Sequence, residues 1–117
     1  MNLEKCYKLF GGDLEDAQIR LASSQRVEKF MLKFVEAGEC SLLEEAVARG
    51  DFKDAFMKAH DIKGTSANLG FTALFESSSA LCEALRDGEP KGEIAPLLET
   101  VCRDNKAITD AVRSVYG

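Results

Sequence analysis

Tryptophan is absent from this 117-residue sequence, proline occurs twice, and histidine occurs once, at His60. No apolar run approaches the ~20 residues of a membrane span, and the charged, amphipathic N-terminus does not resemble a secretory signal peptide. Acidic residues outnumber basic ones, giving a formal net charge of −5 at pH 7, which argues against nucleic acid or an anionic membrane as a partner. These features predict a cytoplasmic protein in which any imidazole chemistry takes place at His60.

The four cysteines, Cys6, Cys40, Cys82 and Cys102, lie far apart in the sequence. Since no two of them form a CxxC half-site, the sequence predicts no structural zinc and no other metal site. Reduced, buried thiols are expected in a protein without a signal peptide. The spacing leaves open whether Cys82 and Cys102 face each other across two helices, and it gives the cysteines no role.

Apolar residues recur at three- and four-residue steps along the whole chain, which indicates helices with short connections. Helices are expected over residues 2–10, about 13–21, 23–37, 41–49, 52–68 and 72–86, and from Pro96 onward, with a capping box at Ser41–Glu44. The predicted fold class is all-α, an antiparallel up-down four-helix bundle with additional N-terminal helices. Residues 1–117 are expected to form one domain, with the N-terminal helices over about 2–37 and the bundle over about 41–116.

The central predicted helix has two distinct faces when its residues are advanced by ~100° each. One broad face is expected to enter the core and carries Phe52, Ala55, Ala59, Ile62, Ser66 and Leu69. A second stripe surrounds the histidine and consists of Lys53, Phe56, Met57, His60, Lys63, Gly64 and Ala67. This stripe has two lysines and no carboxylate, because Asp54 and Asp61 fall off its edge. The local field around His60 is therefore expected to favour an anion.

Each residue near His60 has a chemical reason to be there. A neutral imidazole is a usable nucleophile at cytoplasmic pH, and its attack on a phosphoryl donor would give phosphohistidine. Lys63, one turn later, is expected to offset the added negative charge. Gly64 costs the helix ~1 kcal/mol relative to alanine, so it is expected to clear space for the phosphoryl group or a partner. The expected partner-docking residues are Lys53, Phe56, Met57 and Ala67.

The order His60, Lys63, Gly64, Leu69, Gly70 matches the pattern His-x-x-Lys-Gly-x-x-x-x-Leu-Gly. In these residues the chain resembles the histidine-containing phosphotransfer (HPt) domains of phosphorelays, over about residues 41–87. Asp61 departs from the uncharged residue common at that position, but it points about a quarter turn away from the stripe.

The resemblance implies a helical bundle that is phosphorylated on His60 and exchanges the phosphoryl group with the aspartate of a receiver domain. The implied partners are a response-regulator receiver domain, a hybrid sensor histidine kinase, or both. The protein is expected to be a monomer without a cofactor of its own, and Mg²⁺ is expected on the receiver. Nothing in the chain resembles an ATP site, so no kinase activity of its own is expected.

The sequence leaves two alternatives to phosphotransfer. One is a non-catalytic HPt-like module that only docks receiver domains or helical partners. The other is a small hydrolase using His60, which the sequence disfavours because it shows no paired acid, metal cluster or second nucleophile. The sequence does not identify the cognate kinase, the regulator, the signal or the net direction of phosphoryl flow. Its Met1 and complete set of bundle helices favour a separate protein over a piece of a larger one.

Overall fold

The computed structural model describes residues 2–117, and all regular secondary structure in that range is helical. The helices are α1 (Asn2–Phe10), α2 (Leu14–Leu21), α3 (Ser24–Ala37), α4 (Glu39–Ala48), α5 (Phe52–Leu69), α6 (Thr72–Ala84) and α7 (Ala95–Tyr116), with a 3₁₀ turn at Arg86–Gly88. The predicted all-α class is confirmed. Within this range, no helix is both long enough and apolar enough to cross a membrane.

Helix ends follow the local signals that the sequence carries. The side-chain oxygens of Asp13, Ser23 and Asp51 accept hydrogen bonds from the backbone N–H three residues later, at 3.0, 3.2 and 3.1 Å, and so cap α2, α3 and α5. Gly38 and Gly70 end α3 and α5 in the left-handed conformation, with φ of +62° and +66°. These caps explain why most helix boundaries agree with those expected from the sequence.

The predicted capping box at Ser41–Glu44 is wrong. α4 begins at Glu39, directly after Gly38, and no side chain caps it. The Ser41 N–H already donates to the Gly38 carbonyl at 3.1 Å, so Ser41 lies inside the first turn. Gly38 both ends α3 and opens α4, and this shared residue leaves no room for a separate cap.

The end of α6 also differs from the sequence prediction, because the regular helix stops at Ala84 and not at Arg86. The chain continues as a 3₁₀ turn in which Asp87 adopts a left-handed conformation, with φ of +66°. The Lys91 N–H then donates to the Ala84 carbonyl at 2.7 Å, which ties the following loop back to the end of α6. α7 opens with Pro96 in its first turn, as expected.

α5 lies at the centre of the fold and packs against α2, α3, α4 and α6, while α7 packs against α1, α3, α4 and α6. Phe71, at the junction of α5 and α6, is fully buried. Its ring centroid lies 6.1 Å from that of Tyr7, 5.3 Å from that of Phe10 and 5.5 Å from that of Phe34. This aromatic cluster joins α1 and α3 to the C-terminal end of α5.

All four cysteines are free thiols, three of them buried and Cys102 half-buried. Cys102 faces Cys40 on α4, with the two sulfur atoms 3.5 Å apart. The pairing of Cys82 with Cys102 that the sequence left open is therefore not formed. Cys82 lies on α6 and lines the surface near His60.

Candidate functional site

α5 places its core face as the helical phase predicts. The positions of that face that are fully buried are Ala55, Ala59, Ile62, Ser66 and Leu69, and Phe52 is half-buried. Small residues at three of these positions allow α5 to lie close to its neighbouring helices. The orientation of α5 is thereby fixed, and with it the direction in which the residues of the second stripe point.

His60 is exposed to solvent, in agreement with its phase on the helix. Its ring lies beside that of Phe56, one turn earlier, with the centroids 6.0 Å apart and the planes tilted by 36°. Lys63 is half-buried three residues later. These three side chains line one wall of an open depression of about 400 Å³. The imidazole is accessible to a reacting group that approaches from outside the molecule.

The other wall of this depression comes from the end of α6 and the 3₁₀ turn, through Cys82, Glu83, Arg86 and Asp87. Arg86 forms an ion pair with Glu83, and Asp87 lies 3.7 Å from the amino group of Lys91. The pKa of the Cys82 thiol is raised, chiefly by burial; the charge of Lys63 lowers it in part, and the charge of Glu83 raises it. The stripe on α5 has no carboxylate, but the facing wall supplies two, each with a basic partner.

These four residues were not predicted, because the pattern of α5 by itself carries no information about α6. The signal that could have identified them is the antiparallel connection of α5 and α6 through the short turn at Gly70, which brings the end of α6 beside the first half of α5. Asp61 is not part of the depression. It is exposed and lies near Glu39 on α4, where burial raises the pKa of the Glu39 carboxyl and the charge of Asp61 raises it further.

Gly64 is exposed, and a Cβ built there would meet no heavy atom within 4 Å beyond its own helix. Internal packing therefore does not require a glycine at this position. α5 nevertheless stays regular through Gly64. The missing side chain leaves open space one turn after His60.

The expected docking residues do not all lie in one place. Met57 is 60% exposed, and Phe56 is half-buried beside the imidazole. Lys53 is exposed and contacts Gly88 of the 3₁₀ turn. Ala67 lies beside a different surface hollow, formed with α2 and α6. The structure thus brings Phe56, His60 and Lys63 together and places Ala67 apart from them.

The C-terminal end of α5 is held by the N-terminal helices. The Tyr7 hydroxyl donates to the Leu69 carbonyl at 2.6 Å, and the Asp13 N–H donates to the Gly70 carbonyl at 2.8 Å. Burial raises the pKa of Tyr7, so its hydroxyl stays protonated and remains a donor. A Cβ at Gly70 would overlap the Asp13 carbonyl oxygen. The Leu-Gly pair of the sequence pattern is therefore a packing feature of this junction and not part of the surface around His60.

Comparison with protein families gives a match to the Hpt domain over residues 37–113. The chain belongs to the Hpt domain family. The matched region contains α4, α5, α6 and most of α7, and it includes His60, Lys63 and Gly64. The resemblance found in the sequence is confirmed. Comparison with curated proteins and with solved structures gave no match.

Hpt domains take part in phosphotransfer in two-component signalling. They are phosphocarrier modules and not kinases, and they generally interact with receiver and kinase domains. α1, α2 and nearly all of α3 precede the matched region. In this chain Tyr7 of α1 and Asp13, which caps α2, donate hydrogen bonds to the C-terminal end of α5.

Proposed function

We propose that this chain is a histidine phosphotransfer protein that carries a phosphoryl group on His60 to and from the aspartates of receiver domains. The observation that carries the proposal is the exposed imidazole at the edge of an open depression, next to Lys63, within the region that matches the Hpt family. A ring nitrogen of His60 attacks the phosphorus of an aspartyl phosphate. The N–P bond forms as the P–O bond to the receiver breaks, and the aspartate leaves as a carboxylate. The reverse step returns the phosphoryl group.

The surroundings of His60 support this step electrostatically. Lys63 is close enough along the helix to form a charge-assisted hydrogen bond to the phosphoryl oxygens. Glu83 and Asp87 would repel a phosphoryl group, but Arg86 and Lys91 offset their charges. The open space at Gly64 admits the acidic pocket of the receiver, and Phe56 and Met57 offer apolar contact area.

We also propose the domain organisation, oligomeric state, cofactor requirement, location and partners that the sequence leads us to expect. Residues 1–117 form one domain, and this domain acts as a monomer. Within it, α4, α5, α6 and α7 form an antiparallel four-helix bundle. Contacts of α5 with α4 and α6, and of α7 with α4 and α6, support the bundle. Phosphotransfer needs no cofactor held by this chain, Mg²⁺ is supplied by the receiver, and the protein works in the cytoplasm. Its partners are a receiver domain, a hybrid sensor kinase, or both.

Transfer from phosphorylated receiver domains tests the proposal. Receivers of the host are phosphorylated, incubated with the full chain, and separated on a gel that preserves phosphohistidine. The expected result is acid-labile label on this chain within minutes for at least one receiver. Binding to receivers without any transfer would contradict the proposal and support the non-catalytic docking module.

Replacing the lysine next to the histidine should slow transfer without unfolding the protein. Lys63→Ala is expected to lower the transfer rate about tenfold, since a hydrogen bond to a charged group contributes roughly 1.5 kcal/mol or more. Lys58→Ala is the matched control, because Lys58 is also on α5 but pairs with Asp54 at 3.4 Å. Rapid-quench kinetics measures both variants. Equal rates for Lys63→Ala and Lys58→Ala would remove the proposed role of Lys63.

Adding a side chain at Gly64 should raise the stability of the protein, and a long side chain there should also slow phosphoryl transfer. Gly64→Ala is expected to raise the free energy of unfolding by ~1 kcal/mol, because alanine is the better helix former and its Cβ meets no neighbouring atom. Gly64→Gln should keep most of that gain but slow transfer from the receiver at least about tenfold. Urea unfolding and the gel assay measure the two quantities. If Gly64→Gln transfers as fast as the unaltered protein, the clearance argument fails.

A further inference from the structure

A cluster of two cysteines and a glutamate lies between α4 and α7, apart from the depression at His60. Cys40 and Glu44 are one turn apart on α4, and Cys102 comes from α7. The Cys40 thiol donates to the Cys102 sulfur at 3.5 Å. Both sulfurs and a carboxylate oxygen of Glu44 lie within 4.8 Å of one another. None of the three residues lines the depression.

The spacing of these atoms suits a tetrahedral metal ion. Two thiolates each about 2.3 Å from a tetrahedral zinc lie roughly 3.8 Å apart, by simple trigonometry from the usual Zn–S length. The observed Sγ–Sγ separation is 3.5 Å, so little movement is needed to place an ion between the sulfurs. Cys40 is buried, Cys102 is half-buried and Glu44 is exposed. A fourth ligand can therefore be a water molecule that enters from the side of Glu44.

We propose that Cys40, Cys102 and Glu44 bind a thiophilic divalent cation of the zinc type, with water as the fourth ligand. Thiolate and carboxylate are both common zinc donors, and soft sulfur ligands disfavour Mg²⁺ and Ca²⁺. Binding is an exchange without electron transfer: the cation enters, both thiols become thiolates, and two protons leave to solvent. The bound ion links α4 to α7 across the fold.

Proton release gives the site a characteristic pH dependence. Burial raises the pKa of Cys40, and the hydrogen bond to Cys102 and the charge of Glu44 raise it further. Burial likewise raises the pKa of Cys102, and Glu44 adds to this while the hydrogen bond from Cys40 lowers it. Since binding of one cation releases two thiol protons, the apparent affinity is expected to rise with pH.

Titration of the reduced full chain with Co²⁺, followed by Zn²⁺, tests the site. Co²⁺ should give a thiolate charge-transfer band and the visible bands of a tetrahedral ion, saturating at one ion per chain, and Zn²⁺ should abolish them. Cys40→Ser and Cys102→Ser should each weaken Zn²⁺ binding at least about tenfold. Cys6→Ser is the matched control, since Cys6 is a buried thiol on α1 outside the cluster.

Glu44→Gln keeps the test decisive if a cysteine variant fails to fold, because Glu44 is exposed. This variant retains both thiols and should bind Zn²⁺ at least about tenfold more weakly than the unaltered protein. Absence of a thiolate band in the unaltered chain would overturn the proposal. The same affinity in Cys40→Ser, Cys102→Ser and Cys6→Ser would overturn it as well. Neither outcome depends on phosphotransfer by His60.

Discussion

Replacing His60 with glutamine is expected to abolish acid-labile phosphorylation of this chain by any phosphorylated receiver. The sequence contains no other histidine, so no second imidazole can take over the nucleophilic role. Glutamine is close to histidine in size and can form hydrogen bonds, but its amide is not a nucleophile at neutral pH. The expected signal is below detection in the gel assay that gives full labelling of the unaltered protein.

The fold should tolerate this change. His60 is exposed, so His60→Gln is expected to alter the free energy of unfolding by less than about 0.5 kcal/mol. Circular dichroism and urea unfolding check this, and binding of the variant to the receiver should persist in a pull-down. Label on His60→Gln equal to that on the unaltered protein would mean that another residue accepts the phosphoryl group.

The second large effect is expected at Gly70, where an alanine should destabilise the protein by about 3 kcal/mol or more. Gly70 has φ of +66°, which costs an L-residue ~1–2 kcal/mol. A Cβ there would also overlap the carbonyl oxygen of Asp13. Forcing apart two packed segments adds roughly 1–3 kcal/mol. Relief of the overlap requires α2 to move away from α5, because the blocking atom belongs to the backbone.

Gly50→Ala separates these two contributions. Gly50 has φ of +74°, but a Cβ at this position would meet nothing within 4 Å. Its substitution should therefore cost only the ~1–2 kcal/mol of the left-handed conformation. Urea unfolding of both variants measures the difference, which is expected to exceed about 1 kcal/mol. Equal losses for Gly70→Ala and Gly50→Ala would show that the contact with Asp13 does not hold α2 against α5.

Most of the helical layout could be predicted because its signals are local. Asp13, Ser23 and Asp51 cap helices through hydrogen bonds to residues three positions later, and such bonds depend on nothing outside the segment. The start of α4 was predicted wrongly because that prediction, too, depended only on local signals. Ser41 has the residue types of a capping box around it, but Gly38 had already turned the chain into the next helix. Two adjacent local signals competed, and the earlier one prevailed.

The candidate site was predictable where it depends on one helix. The phase of α5 follows from its buried positions, such as Ala59 and Ile62, and that phase puts His60 in solvent. The wall formed by Glu83 and Arg86 was not predictable from this phase, because it depends on how far α6 runs beside α5 before it ends. The position of Ala67 was not predictable from this phase either: Ala67 shares the stripe on α5 but lies beside a different hollow, formed with α2 and α6.

The sequence by itself determined the helical class, the exposure of His60, its distance along α5 from Lys63 and the gap at Gly64, because periodicity and helix geometry connect residues a few positions apart. Only the tertiary structure decided that Cys102 meets Cys40 and not Cys82, and that Gly70 lies against Asp13. These contacts join residues that are distant in sequence. They depend on the axial alignment of neighbouring helices, which is set by the interlocking of side chains in the core and leaves no periodic signal in the sequence.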